Sequence, residues 1–264
     1  MADAEARRVT YSGYYGAESR PVRGVVPTEA MVTLHVNGQP LVRLICTPTQ
    51  VKDLALGFLF NEGLIEGLDD VAAAELCGDG EGVDIWLEHD IERPEVRTIT
   101  SGCSGGTTFD EFRHSHHAVE SGLVITAEAV TALMEKLADA ASLYHRAGGV
   151  HTAALAFPER EDPLVCVAED VGRHNTLDKI AGACLREGTS TRGGVLLSSG
   201  RISSEMVSKA VRMGAPVVIS RTSPTSLSIE LAKAWRIALI GYTRRRSFRV
   251  YTGEERVVAD GQVG

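Results

Sequence analysis

The chain has 264 residues, with 27 Lys and Arg against 35 Asp and Glu, so its formal net charge is −8. A hydrophobic content of 44% and a charged content of 23% exclude collagen-like, disordered and disulfide-scaffold classes, and the length suits one large or two modest cores. The acidic balance also argues against a nucleic-acid protein held by many phosphate contacts, although not against a local basic pocket for one nucleotide.

The first twenty residues mix charges and tyrosines without an apolar stretch of the export-signal kind. Later apolar runs, such as 195–197 and 216–219, are far shorter than a membrane span. A cytoplasmic protein with reduced thiols is therefore expected, with residues 1–20 as a mobile tail.

Residues 30–46 read as a hairpin, in which Val32, Leu34 and Val36 alternate with polar neighbours and Asn37-Gly38 supplies the turn. A helix should follow, capped by Thr47, with Pro48 at its first position, Gln50 completing a capping box, and Val51, Leu54, Ala55, Phe58 and Leu59 on one face. Residues 83–87 and 95–99 resemble further strands, which makes 21–106 a small N-terminal α+β domain. Residues 107–122 are polar, carry His114, His116 and His117, and are expected to be a flexible linker.

The pattern then changes over residues 123–264. Thr126 opens a long helix through Val130, Leu133, Met134, Leu137 and Ala141, ending at Gly148-Gly149. Strands are expected at 152–157, 164–168, 195–197, 217–219 and 237–240. Helices are expected from Asn175 to 186, from the Ser203 cap to Gly214, and after Ser223-Pro224. Short buried strands alternating with helices predict a layered α/β domain with some parallel pairing.

Ligands of such sheets sit beyond the carboxyl ends of the strands, at helix N-termini. Three strand-to-helix junctions are polar there, and each carries an arginine: 169–175 with Arg173 and His174, 198–203 with Ser198, Ser199, Gly200 and Arg201, and 221–223 with Arg221. Each alone reads as an ordinary cap with a solvated arginine; the three together point to a phosphate or nucleotide pocket. His151 heads a strand and reads first as a packed or capping residue, and Asp178 and Lys179 as site groups or a solvated face. The histidines at 114, 116 and 117 lack any H-E-x-x-H, H-x-E or C-x-x-C companion, so no metal, zinc included, is expected.

The five cysteines, at 46, 77, 103, 166 and 184, are odd in number and widely spaced, which excludes a complete disulfide framework. Cys46, Cys166 and Cys184 lie among apolar neighbours, and Cys77 at an expected helix end; buried inert thiols are their default. Cys103, in Ser101-Gly102-Cys103-Ser104-Gly105-Gly106, is flanked by residues that cannot shield it. It reads as an accidental surface thiol or as a nucleophilic or carrier sulfur.

Thr100-Ser101-Gly102-Cys103, Gly148-Gly149-Val150-His151, the run 169–175 with Asp178-Lys179, and the run 199–206 occur here in that order. On these motifs the chain resembles the formate dehydrogenase accessory sulfurtransferase family, FdhD, from about residue 30 to residue 253. The resemblance implies a sulfur carrier. Such a protein takes persulfide sulfur from a cysteine desulfurase and passes it to the molybdenum or tungsten centre of the bis-molybdopterin guanine dinucleotide cofactor, before that cofactor enters formate dehydrogenase. It implies a C-terminal domain of the cytidine-deaminase-like fold without deaminase zinc ligands, since His174-Asn175 and Ser199-Gly200-Arg201 stand at the expected helix starts. Cys103 matches the persulfide-carrying cysteine. Leu197, Ser198, Ser199, Gly200, Arg201 and Ile202 match the cofactor-binding segment, to which GDP or GMP moieties are expected to bind alone, with Arg173, His174 and Arg221 as further candidates. Many members have C-G-x-C-G where this chain has Cys103-Ser104-Gly105-Gly106, so a two-thiol mechanism is not available locally. A homodimer is implied, as two nucleotides per cofactor suit a two-fold axis. A cofactor carrier for formate dehydrogenase that transfers no sulfur is the rival reading; a deaminase or hydrolase lacks its zinc signatures.

Overall fold

The computed structural model describes residues 5–78, 82–91, 98–99, 107–108, 117–245 and 247–259; Cys103, His114 and His116 lie outside them. The chain opens with an antiparallel hairpin, β1 (Ala6–Tyr15) and β2 (Glu18–Pro27), where a mobile tail was expected. The hairpin leaves most of both faces exposed, so it has no buried set of residues to impose the period-two pattern by which strands are read. It is anchored at its base, where Ala6 is buried with Leu143 and Val150.

The strands β3 (Ala30–Val36) and β4 (Gln39–Cys46) form the expected hairpin, with Asn37 and Gly38 at φ of 52° and 74° as its turn requires. Helix α1 (Val51–Asn61) and strands β5 (Val71–Cys77) and β6 (Gly82–Leu87) complete a sheet of order β4-β3-β6-β5. Val32, Leu34, Val36, Val83 and Ile85 pack from one face of this sheet onto Leu54, Phe58 and Leu59 of α1. Two expectations are corrected here. Gln50, in the left-handed region, is the N-cap of α1, because Thr47 is held elsewhere by residues 170 and 171; and Cys77 ends a strand, not a helix. Short strands β7 (Thr98–Ile99) and β8 (Thr107–Thr108) pair with each other.

The second half contains β9 (Ile125–Thr126), α2 (Ala127–Ala140), α3 (Ser142–Ala147), β10 (His151–Ala156), β11 (Leu164–Asp170), α4 (Arg173–Arg186), β12 (Val195–Ser198), α5 (Ser204–Arg212), β13 (Val217–Ser220), α6 (Ser226–Ala234), β14 (Ala238–Arg244), β15 (Ser247–Thr252) and β16 (Val257–Val258). Six of these strands form one sheet of order β11-β10-β12-β13-β14-β15. Strands β12, β13 and β14 are mutually parallel, and β10 runs antiparallel to β11 and β12. The carboxyl ends of β11, β12, β13 and β14 therefore share one edge with the amino end of β10. Both faces are covered. Ala154, Leu197, Val217 and Ile219 face Val130, Leu133 and Leu137 of α2, while Leu155, Leu196 and Val218 face Leu177, Met206 and Leu231 of α4, α5 and α6. Burial on both faces is why β12 and β13 read as unbroken apolar runs.

The long helix expected after Thr126 is two helices broken at Ala141, because the carboxylate of Glu169 takes the N–H groups of Leu143 and Tyr144 and starts α3 afresh. Residues 117–122, expected within a linker, pack on this half: Val119 is buried in its core and donates its N–H to the Trp235 carbonyl.

The two halves meet where α1 crosses α4. A side chain on Gly57 would overlap the backbone carbonyl of Asp178, and one on Gly182 that of Asp53. Helix α4 is thus enclosed by α1 on one side and the large sheet on the other, and is buried continuously from Arg173 to Cys184.

Candidate functional site

The polar run at 169–179 divides into two tasks once folded. Most of it joins the halves. Asp170 accepts from the Thr47 N–H at 3.0 Å, the Gly172 N–H at 2.8 Å and Asn175 Nδ2 at 2.8 Å, and pairs with Lys179 at 2.7 Å. Asn175 also donates to the Ile45 carbonyl, Lys179 to the Thr47 carbonyl, and Asn61 Nδ2 to Asp178. Asp178 in turn pairs with Lys209, itself 3.6 Å from Glu62. Burial opposes the charge on Lys209, but Asp178, Glu62 and Glu205 together raise its pKa. Most of these buried polar groups are satisfied across the junction, which is the condition for burying them; Asn61 Oδ1 has no hydrogen-bond partner among the described residues.

Arg173 and His174 are instead buried behind the turn that follows β12. His174 Nε2 lies 3.0 Å from Ser203 Oγ and 3.2 Å from Glu205 Oε2. Although Glu205 favours the imidazolium, burial and the surrounding charges of Arg173, Lys209 and Arg201 dominate and lower its pKa well below the usual value. His151 is lowered too, by burial and then by Arg173, against an opposing effect of Asp170. Both rings are therefore neutral near pH 7, and the positive charge of this edge resides in its arginines.

The turn after β12 is fastened from several directions. Ser199 N–H donates to the Thr152 carbonyl at 2.9 Å and Ser199 Oγ accepts the Thr152 N–H at 3.0 Å. Ser198 Oγ accepts the Gly200 N–H, Ser220 Oγ donates to the Gly200 carbonyl, and Arg221 N–H donates to the Ser198 carbonyl. Gly200 is closely packed: a Cβ there would lie 3.1 Å from Arg173 Cβ and 3.2 Å from His151 Nδ1, so these side chains would have to give by a few tenths of an ångström.

Beside this turn lies a cleft of about 250 Å³, lined by Met134, Leu137, Tyr144, His151, Ser199 and Arg221. It adjoins a shallower groove of about 590 Å³ that shares Met134, Ala138 and Arg221 and adds Arg244 and Arg245. Apolar walls with a few convergent polar groups suit a nucleotide-sized ligand. Arginines at strand ends suit its phosphates.

The residues singled out in the sequence thus have different places. Ser199 and Arg221 line the cleft, and Arg201 is exposed at the same edge. The side chains of Leu197 and Ile202 are buried in the core, so only their backbone can meet a ligand; Ser198 is buried with its hydroxyl accepting from Gly200. Arg173 and His174 are buried behind the turn. His151, read first as a packing residue, lines the cleft; Tyr144, Arg244 and Arg245 gave no local signal. Glycine pair 148–149 before His151 was the one usable hint.

Among the described residues no cysteine lines either part of the groove. Cys46 is buried and pushed up to about 12, by burial first and then by the charge of Asp170. Cys166 is raised by its hydrogen bond to Cys184 and by burial. Cys184 is lowered by the same bond but is itself buried in the core. Cys103 lies outside the described residues, as do His114 and His116. No helix among the described residues is long and apolar enough to cross a membrane.

Comparison with known proteins agrees with the motifs. The profile of the FdhD/NarQ family matches residues 27–258. The chain is 37% identical over 238 residues to the sulfur carrier protein FdhD of Bacillus licheniformis, covering 87% of this chain and 89% of that one. It is 36% identical over 251 residues to that of Bacillus subtilis, covering 92% and 94% respectively. The fold matches a crystal structure of a candidate formate dehydrogenase accessory protein from Desulfotalea psychrophila, with a TM-score of 0.81 and 22% identity over 96% of this chain and 99% of that one. The chain belongs to the FdhD/NarQ family.

Proposed function

We propose that this protein is a sulfur carrier serving formate dehydrogenase, and that its groove at the strand-end edge holds the guanine nucleotide portions of a molybdenum or tungsten bis-molybdopterin guanine dinucleotide cofactor. The observation that carries this reading is the convergence of Ser199, Arg221, Arg244 and Arg245 around one apolar-walled cleft, with Arg201 exposed after the neighbouring strand, in an otherwise acidic protein. The relatives named as sulfur carriers supply the sulfur chemistry.

In this reading Cys103 thiolate attacks the terminal sulfur of a cysteine desulfurase persulfide. The desulfurase S–S bond breaks, its cysteine leaves as thiolate, and a persulfide forms on Cys103. The terminal sulfur then passes to the metal centre, which supplies the electron pair, and Cys103 departs as thiolate. One cysteine suffices for both steps, so the absence of the second family cysteine does not block the chemistry. Arg201 and Arg221 hold phosphate, while neutral His151 and the Ser199 hydroxyl offer hydrogen bonds to ribose or base. A homodimer in the cytoplasm, binding one nucleotide per protomer, fits a cofactor with two such groups.

The test is mass spectrometry after incubation with a cysteine desulfurase and cysteine. One added, reductant-labile sulfur on Cys103 is expected. If Cys103 gains none, and Cys103→Ala still supports active formate dehydrogenase, the protein is a cofactor carrier without sulfur transfer.

A further inference from the structure

On the N-terminal sheet, away from the groove, three side chains of different chemistry converge on the face opposite α1. His35 lies on β3, Asp84 directly opposite it on the central strand β6, and Cys77 at the end of β5, diagonal to Asp84. The position between His35 and Cys77 is Gly82, where an added Cβ would sit 3.5 Å from Cys77 Cβ and 3.7 Å from His35 Cε1. With no side chain there, the imidazole and the thiol close over the glycine. One nitrogen of His35, the Cys77 sulfur and one Asp84 oxygen all lie within 4.8 Å of one another.

We propose that His35, Cys77 and Asp84 form a binding site for a divalent borderline transition metal, with Zn²⁺ as the ion best suited to it. A tetrahedral zinc with bonds of about 2.0–2.3 Å needs ligand atoms about 3.3–3.8 Å apart. His35 Nδ1 and Asp84 Oδ1 are already 3.4 Å apart, and side-chain rotation of about 1 Å closes the remaining edges. That Nδ1 atom is shielded from solvent and has no hydrogen-bond partner among the described residues. The mixed sulfur, nitrogen and oxygen set suits zinc better than magnesium or calcium, which take oxygen alone.

Ligation requires the Cys77 thiol to give up its proton. A dication replaces that proton: the S–H bond breaks, the proton leaves to solvent, and thiolate and carboxylate together neutralise the metal. Water fills the fourth position. Strand β5 is an edge strand, and the ion fastens its end to β6 and β3.

The experiment uses the full chain stripped with a chelator and titrated with Co²⁺. One equivalent should produce an intense thiolate-to-cobalt charge-transfer band that Zn²⁺ abolishes by displacement, and Zn²⁺ should raise the thermal midpoint. Loss of an outer-shell partner already weakens metal binding about 10–100-fold, so Cys77→Ser and His35→Gln should weaken it at least that much. His35→Gln keeps the thiol and, with an unchanged metal-free circular dichroism spectrum, separates lost ligation from lost folding. Cys103→Ser should retain the band. A band that survives Cys77→Ser, a band lost in Cys103→Ser instead, or no stoichiometric binding by the wild-type chain overturns the proposal.

Discussion

Lys179 Nζ lies 2.7 Å from Asp170 Oδ2, with both side chains fully excluded from solvent at the junction between the two halves of the protein. The pair is completed by backbone groups of the N-terminal half, since the Thr47 N–H binds Asp170 and the Thr47 carbonyl accepts from Lys179. Removing one partner leaves an uncompensated buried charge, which typically destabilises by about 3–5 kcal/mol. Lys179→Met should therefore lower the urea midpoint strongly. A change below about 1 kcal/mol would mean that water reaches Asp170, contrary to the packing.

The glycine crossing of α1 and α4 gives a prediction whose sign opposes helix propensity. Alanine in place of Gly57 or Gly182 favours an isolated helix by about 1 kcal/mol. Here each new Cβ meets a backbone carbonyl, Asp178 for Gly57 and Asp53 for Gly182, so the helices must separate. Either substitution should destabilise by about 1–3 kcal/mol or more in chemical denaturation, and a stabilised variant would contradict the close crossing.

Nucleotide affinity should depend on the arginines of the strand-end edge. Hydrogen bonds to charged groups contribute about 1.5–3 kcal/mol, or roughly 10–100-fold in affinity. Arg201→Ala and Arg221→Ala should each weaken GDP binding by that order in calorimetry, with Arg221 the larger because it lines both parts of the groove. Gly200→Ala should weaken binding as well, by displacing Arg173 and His151. Unchanged affinity in all three variants would place the nucleotide elsewhere.

Stability should fall as the pH is lowered through the histidine range. His174 is neutral in the folded protein because burial, Arg173, Lys209 and Arg201 depress its pKa against the pull of Glu205. The unfolded chain takes up a proton below about 6.5, the ordinary histidine value. Below that pH the unfolded state binds more protons than the native state, so stability declines until the folded pKa is reached. His174→Gln should flatten the slope between pH 7 and pH 5 in denaturant titrations. An identical slope in wild type and variant would show that His174 is protonated when folded.

Much of the fold is legible locally. The apolar runs of β12 and β13, the Asn37-Gly38 turn and the amphipathic face of α2 are properties of contiguous residues, and the structure contains all three. The family motifs are equally local, and the arginines at 201 and 221 stand at strand ends because strand and helix order alone brings them there. The β1–β2 hairpin was illegible because it buries neither face, and Thr47 was misread as a helix cap because its partners, residues 170 and 171, are supplied by the other half. Only tertiary structure could divide the run 169–179 between joining the halves and backing the turn after β12, since the division depends on which side of α4 meets α1. The same holds for His151, and for His35, Cys77 and Asp84, whose spacings of tens of residues match no ligand motif. Periodicity is encoded along the chain, whereas the meeting of side chains from different strands depends on sheet order, register and an absent side chain at Gly82.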